Sequence, residues 1–144
     1  MPEDKIRIVY SVIEGIKKFD YVDIIKKMCY NLIMEKVLIA KYTEEAKAQL
    51  FELSENNQDK ILAAVKAFEV LGIKYKNINN LGDGLFEIKP KGVRAYFMYD
   101  ENHKKIIIIG LIVLKKTQKA PKQYIKQARK NIKEYIRRHQ NDNE

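Results

Sequence analysis

The sequence has few of the residues that form disulfide bonds or bind metal ions: one cysteine and two histidines. Cys29 is its only cysteine, which excludes an internal disulfide and a zinc cluster of thiolates. Cys29 lies in an apolar stripe, and we interpret it as a core residue. The two histidines, His103 and His139, fall in a predicted turn and near a helix end, where solvation is expected. We therefore expect no metal and no cofactor.

Long apolar runs are lacking too. The longest runs from Ile106 to Leu114 with Gly110 inside, and its nine residues suit a buried strand and are too few to span a membrane. The chain begins Met1-Pro2-Glu3-Asp4, without the basic start and apolar segment of a signal peptide. With 144 residues, no internal repeat and no low-complexity linker, we expect one cytoplasmic globular protein and no membrane partner.

The excess of positive charge is confined to the second half. Residues 85–144 hold 15 Lys and Arg against 6 Asp and Glu, whereas residues 1–84 hold 13 of each. A positive surface attracts a polyanion by releasing its counterions, and nucleic acid is the usual polyanion in a cell. Lys-rich surfaces also serve solubility, but such sharp segregation favours contact with nucleic acid.

The first half has the period of helices. Apolar residues three and four apart predict one helix from Ile6 to Phe19 and a second that reaches about Glu35. Residues 37–42 are apolar and β-branched enough to form a strand. Thr43 is placed to cap a helix, and Gly72 to end the next one, so residues 43–72 are predicted to form a helical hairpin.

The second half has the period of strands. Residues 79–84 are rich in Asn and Gly and predict a turn, and three strands are predicted at residues 85–89, 93–99 and 105–114. Their short connections favour antiparallel pairing. Pro121 suits the first turn of a C-terminal helix. The predicted fold is α+β: a helical hairpin packed on a small, mostly antiparallel twisted sheet, with a C-terminal helix and an N-terminal helical extension.

Basic side chains flank the first predicted hairpin of strands. Lys89, Lys91 and Arg94 can converge around the Pro90 to Gly92 turn, and residues 115–119 can bring further lysines to the same edge. Three cations held together repel one another, a cost that a bound phosphate would offset. The alternative is that all of them simply point into solvent.

Three stretches carry a resemblance to a known family. They are Leu81-Gly82-Asp83-Gly84-Leu85-Phe86-Glu87-Ile88-Lys89, Val93-Arg94-Ala95-Tyr96-Phe97-Met98-Tyr99 and Leu114-Lys115-Lys116-Thr117-Gln118-Lys119-Ala120-Pro121. In these motifs and in their order the chain resembles the RelE/ParE toxin superfamily, most closely its HigB branch with its phage-derived relatives. The resemblance covers roughly residues 37–135.

The resemblance implies the toxin of a type II toxin–antitoxin pair. Such toxins cut messenger RNA, usually in the ribosomal A site, by using the RNA's own 2′-hydroxyl as nucleophile. The expected partners are therefore mRNA, the ribosome and a cognate antitoxin of helix-turn-helix type. Cleavage of this kind needs a base, an acid and cations for the phosphorane, and it needs no metal.

Matching the motifs residue by residue assigns candidate roles. Lys89 is the candidate base, Lys91 and Lys116 are electrostatic, Arg94 clamps the scissile phosphate, and Tyr124 lies near a tyrosine found in some members. The basic residues of the loop and of the last helix are expected to bind RNA: Lys115, Lys119, Lys122, Lys126, Arg129 and Lys130.

Some features depart from the family or leave other functions open. Residues 1–34 are an expected helical extension, unless translation begins at Met34; residues 35–140 are the expected toxin domain and 141–144 a frayed tail. Two other functions stay open: a non-catalytic basic module that binds RNA, ribosome or a partner protein, and a ParE-like gyrase poison.

Overall fold

The computed structural model of the protein describes residues 36–115 and 119–140. The two helices predicted for the first 35 residues, the side chain of Lys116 and the predicted frayed tail lie outside the described residues. Within the described ranges, no helix is both long and apolar enough to cross a lipid bilayer.

The described residues form three α-helices and a five-stranded sheet, which confirms the predicted α+β class. The sheet and helices follow the chain in this order: β1 (Ile39–Tyr42), α1 (Glu44–Glu52), α2 (Glu55–Leu71), a 3₁₀ turn (Gly72–Lys74), β2 (Ile78–Gly82), β3 (Leu85–Ile88), β4 (Val93–Tyr99), β5 (Ile106–Leu114) and α3 (Lys122–Gln140).

The strand order is β1-β5-β4-β3-β2, so β1 and β2 are the edges. Strand β1 pairs with β5 in parallel, and the other three pairs are antiparallel. The helices α1 and α2 cover one face of the sheet and α3 covers the other. Strand β5 contributes buried side chains to both faces, as its continuous apolar run predicts.

The helical hairpin begins and ends where the sequence predicts. The hydroxyl of Thr43 accepts the backbone N–H of Ala46 at 3.1 Å and so caps α1, and Ser54 caps α2 through the N–H of Asn57 at 3.3 Å. Gly72 ends α2 with a φ of 59°, a conformation that costs glycine little. These residues set the bounds of the two helices.

A bulge in β5 lets α3 approach the sheet closely. The pairing of β4 with β5 shifts between Tyr96 and Phe97, so Gly110 is the extra residue. A Cβ at Gly110 would lie 2.6 Å from Ile132 Cγ1 and 2.8 Å from the carbonyl oxygen of Ala128. The amide Nδ2 of Asn131, itself buried, donates to the carbonyl of Gly110 at 2.8 Å. The glycine therefore fixes where α3 lies.

The sequence prediction for residues 79–82 was wrong. We predicted a turn from Asn79 onward, but residues 79–82 belong to the edge strand β2, and only Asp83 and Gly84 form the turn. Gly82, Asp83 and Gly84 have φ angles of 94°, 49° and 81°. Strand propensity is weak for Asn and Gly, and here the pairing with β3 overrides it.

Candidate functional site

A cleft of about 200 Å³ opens on the α3 side of the sheet, between the strand pair β4–β5 and the start of α3. Strand β3 contributes one side chain to it. Ten residues line the cleft: Glu87, Arg94, Tyr96, Val113, Leu114, Lys115, Lys119, Ala120, Pro121 and Tyr124. It thus combines an acid, three cations and two phenols on a partly apolar wall.

The acid and the arginine of the cleft, Glu87 and Arg94, lie close together on the neighbouring strands β3 and β4. Glu87 lies directly opposite Tyr96 in the β3–β4 pairing, so Arg94 is its diagonal neighbour on the same face. Glu87 Oε2 and Arg94 Nε are 4.0 Å apart, and the two side chains are only 7% and 12% exposed. A buried carboxylate needs a counter-charge and hydrogen bonds, and Arg94 supplies the charge.

Arg94 is also tied to the turn that precedes its strand. Its Nη1 donates to the carbonyl of Pro90 at 2.7 Å and to that of Val93 at 2.8 Å. These two bonds leave the Nε edge of the guanidinium turned toward Glu87. The arginine is therefore held rigidly, which is what a phosphate clamp requires.

Two tyrosines complete the polar part of the cleft. Tyr96 is 2% exposed, and burial, followed by the nearby Glu87 carboxylate, raises its pKa to about 12 despite the opposing charge of Arg94. The Tyr96 phenol therefore keeps its proton at neutral pH and is able to donate a hydrogen bond. Tyr124, in the first turn of α3, is half-buried and contributes to the same electrostatic environment.

The lysines lie at the mouth of the cleft. Lys115 follows β5 and is exposed, and Lys119 lines the cleft on the side of α3. The backbone N–H of Lys115 donates to the carbonyl of Gly92 at 2.9 Å, which brings the turn containing Lys91 to the same end of the sheet. This end of the molecule therefore concentrates positive charge.

The structure brings together only part of the predicted catalytic set. Arg94 and Tyr124 line the cleft, and Lys116 lies outside the described residues. Lys89 follows β3 with its N–H bonded to the carbonyl of Asn77 at 3.1 Å, and Lys91 is exposed in the turn. Neither lysine is among the residues that line the cleft.

The basic residues predicted to bind RNA from α3 fall into two groups. Lys122, Lys126 and Lys130 are exposed. Arg129 is instead half-buried, and its two terminal nitrogens each donate at 2.9 Å, Nη1 to the carbonyl of Asp83 and Nη2 to that of Gly82. Arg129 thus fastens the β2–β3 turn to α3.

Sequence reasoning missed Glu87 and Tyr96 as members of the site. The available signal was strand alternation, which places Glu87 on the face opposite Phe86 and places Arg94 and Tyr96 together on one face. The predicted hairpin therefore implied a carboxylate beside the arginine, whereas the predicted catalytic set contains only cations and Tyr124. In the described part of the chain, no three His, Cys, Asp or Glu side chains cluster as metal ligands would.

Comparison with known proteins identifies the family. No curated protein matches the sequence significantly. A solved structure with similarity to the chain is the toxin–antitoxin complex RelBE2 from Mycobacterium tuberculosis, with 21% identity and a TM-score of 0.40 over 54% of this chain and 98% of the matched one. The family model described as phage-derived protein Gp49-like matches residues 48–133, which is more than half of the sequence. The resemblance to phage-derived, HigB-like toxins is thereby confirmed, and the chain belongs to the Gp49-like family, a RelE/HigB-type family of toxins from toxin–antitoxin systems.

Proposed function

We propose that this toxin is an endoribonuclease that cleaves messenger RNA in the ribosomal A site through the RNA's own 2′-hydroxyl. The observation that carries the proposal is the Glu87–Arg94 pair, a buried carboxylate beside a rigidly held guanidinium in a cleft with lysines at its mouth. Cleavage by the 2′-hydroxyl needs a base and cationic stabilisation within reach of one phosphate. The cleft offers both.

Glu87 is the proposed base. Its Oε2 takes the proton of the 2′-hydroxyl while the 2′-oxygen attacks phosphorus, which forms the bond of a 2′,3′-cyclic phosphate. This role was expected of Lys89, but Glu87 lines the cleft and Lys89 does not.

Arg94, Lys115 and Lys119 are the proposed anion site. The scissile phosphate gains negative charge as it becomes a phosphorane, and a guanidinium fixed by the carbonyls of Pro90 and Val93 meets that charge without having to reorganise. The two lysines at the mouth attract the RNA backbone as point charges. Lys91, exposed in the turn between β3 and β4, adds a further positive charge near this anion site.

The two tyrosines are assigned different tasks. Tyr96, with its pKa raised to about 12, keeps its proton and donates a hydrogen bond to a phosphorane oxygen. Tyr124 protonates the leaving 5′-oxygen as the bond between phosphorus and that oxygen breaks. Tyr124 then recovers a proton from solvent, and Glu87 releases to solvent the proton that it took from the 2′-hydroxyl. The products are a cyclic phosphate and a 5′-hydroxyl.

The partners follow from the proposed activity and the family. Residues 35–140 act as the toxin domain, which contains the family match at residues 48–133. The exposed lysines of α3 hold ribosomal RNA around the A site, and a cognate helix-turn-helix antitoxin neutralises the toxin in the cytoplasm. In a related system, the RelBE2 structure is described as a toxin–antitoxin complex.

The test is to map RNA 5′ ends after brief induction of the toxin in growing cells. We expect cuts phased with codons in translated messages, and none in cells that express Glu87→Gln at equal level. Intact messages with DNA breaks would instead indicate gyrase poisoning. Growth inhibition with neither kind of damage would indicate a non-catalytic module.

A further inference from the structure

Asn79 contacts the proposed base from the edge of the sheet. It lies directly opposite Glu87 in the β2–β3 pairing, and its amide Nδ2 donates to Glu87 Oε1 at 2.7 Å. Arg94 faces the other oxygen, Oε2. The two oxygens of one carboxylate therefore have different partners.

This division of partners fixes the carboxylate plane. The terminal torsion of a glutamate is broad and rotates easily when nothing holds it. Here an amide donor engages one oxygen, while the oxygen that faces Arg94 keeps its lone pairs for a substrate proton. Without the amide, Glu87 could rotate toward the guanidinium and accept from it with both oxygens.

We infer that Asn79 is a positioning residue of the site, which holds Glu87 Oε1 so that Oε2 receives the proton of the RNA 2′-hydroxyl. The inference rests on the proposed function and deepens it. Asn79 takes no part in bond making or breaking and remains a neutral amide throughout.

A structural role alone would have a different signature. The amide satisfies a buried acceptor, and its loss costs stability whether or not Glu87 is a base. Positioning, in contrast, changes the rate and its pH dependence, because a hydrogen bond to a carboxylate favours the charged form. The acid limb of the pH–rate profile reports that form.

Other titratable groups also face Glu87 and are common to every variant compared. They are Arg94 and Tyr96 on β4, Lys115 and Lys119 at the mouth of the cleft, and Tyr124 on α3. A shift of the acid limb that appears only on substitution of Asn79 is therefore assigned to its hydrogen bond.

The chain supplies a matched control next to Asn79. Asn80 has the same side chain in the same strand, but it is exposed and its Oδ1 accepts the local N–H of Gly82 at 2.9 Å. Asn80→Ala therefore loses a hydrogen bond of β2 without touching Glu87. Comparing Asn79→Ala with Asn80→Ala therefore distinguishes an effect of weakening the strand from an effect of changing the orientation of Glu87.

The experiment measures cleavage of messenger RNA on programmed ribosomes against pH for the full chain and four variants: Asn79→Ala, Asn80→Ala, Glu87→Gln and the Asn79→Ala, Glu87→Gln double variant. For Asn79→Ala we expect a loss of about tenfold in kcat, the equivalent of one charge-assisted hydrogen bond, with KM changed by less than about twofold. Its acid limb should move to higher pH. The Asn80→Ala profile should overlay that of the unmodified protein.

The double variant completes the test. Because Asn79 acts through Glu87, its loss should add little to the defect of Glu87→Gln. If the unmodified protein and Asn80→Ala cleave RNA and Asn79→Ala shares their kcat and acid limb, the positioning role is overturned while the proposed function stands. If the unmodified protein leaves RNA intact, the proposed function fails and the positioning role falls with it.

Discussion

Glu87 Oε2 and Arg94 Nε lie 4.0 Å apart on neighbouring strands, with both side chains almost fully shielded from water. At this distance the carboxylate and the guanidinium do not form a bidentate pair of hydrogen bonds. Nη1 of Arg94 instead donates to the carbonyls of Pro90 and Val93. Because the two buried groups are not hydrogen-bonded to each other, both can still form a hydrogen bond with a third group. In the proposed mechanism that group is the RNA backbone.

The first prediction contrasts two buried carboxylates. Glu87→Gln removes the base and should lower cleavage by about a hundredfold or more. Glu69→Gln is the control, since Glu69 is buried too but serves the start of β1, where it accepts the N–H of Ala40 at 3.0 Å and pairs with Lys36 at 3.4 Å. This control should cleave normally and lose about 1 to 3 kcal/mol of stability, because the charged acceptor of the Ala40 N–H is neutralised in a buried position. Cleavage rates and urea unfolding of both variants check the contrast.

The second prediction concerns Arg94. Arg94→Ala leaves the Glu87 carboxylate buried without its cation, so it should abolish growth inhibition and cost about 3 kcal/mol of stability. Arg94→Lys keeps the charge but loses the planar fork, so it should stay folded and remain strongly impaired. Growth assays and chemical unfolding separate the two effects. A folded and fully toxic Arg94→Ala protein would be incompatible with the phosphate clamp.

The third prediction concerns alkaline pH. The folded pKa of Tyr96 is about 12, above the ordinary value of 10.0, so the unfolded chain releases this proton first as the pH rises. Stability linked to Tyr96 is present below pH 10.0 and is lost between that value and about 12. Urea unfolding across this range should show a shallower loss for Tyr96→Phe than for the unmodified protein. Equal slopes would mean that Tyr96 is not buried as described.

The fourth prediction distinguishes residues of α3 that contact RNA from Arg129, which holds the β2–β3 turn. Lys126→Ala and Lys130→Ala should each lower the slope of log affinity against log salt for single-stranded RNA by about 0.7, the value for one phosphate contact. Arg129→Ala should mainly reduce stability, by about 1 to 2 kcal/mol, because it releases the carbonyls of Gly82 and Asp83. Salt titrations and thermal unfolding measure the two outcomes. A stable Arg129→Ala protein with the largest change in salt slope would reverse the assignment.

The fifth prediction tests the packing of α3. Gly110→Ala places a methyl group 2.6 Å from Ile132 Cγ1 and 2.8 Å from a backbone oxygen of α3. Overpacking of this kind costs about 1 to 3 kcal/mol. Ile132→Val in the same protein removes Cδ1, which would lie 3.0 Å from the new methyl group, but keeps Cγ1, so it should recover only a small part of that loss. Thermal unfolding of the double variant checks the coupling.

Much of the fold was predictable because local signals agree with tertiary structure. Thr43 caps and Gly72 ends helices where the sequence places them, and the strand from Val93 to Tyr99 has the predicted bounds. The edge strand β2 was not predictable, since its pairing with β3 overrides the turn chemistry of Asn79 and its neighbours.

The site was harder to predict than the fold, because it depends on register. Arg94 and Tyr124 were named from the sequence and line the cleft. Lys89 and Lys91 were grouped with Arg94 because the predicted hairpin around the Pro90 to Gly92 turn brings the three together and because they match the family motif, but neither lysine lines the cleft. Glu87 belongs to the α3 face of the sheet through its pairing with Tyr96, which the charge pattern alone does not reveal.

The most direct measurement of the central claim is the chemistry of the RNA ends that the purified toxin leaves on programmed ribosomes. Attack by the 2′-hydroxyl predicts fragments that end in a 2′,3′-cyclic phosphate and begin with a 5′-hydroxyl, formed by the unmodified protein and lost in Glu87→Gln. Fragments with a 3′-hydroxyl and a 5′-phosphate, or undiminished cleavage by Glu87→Gln, would contradict it.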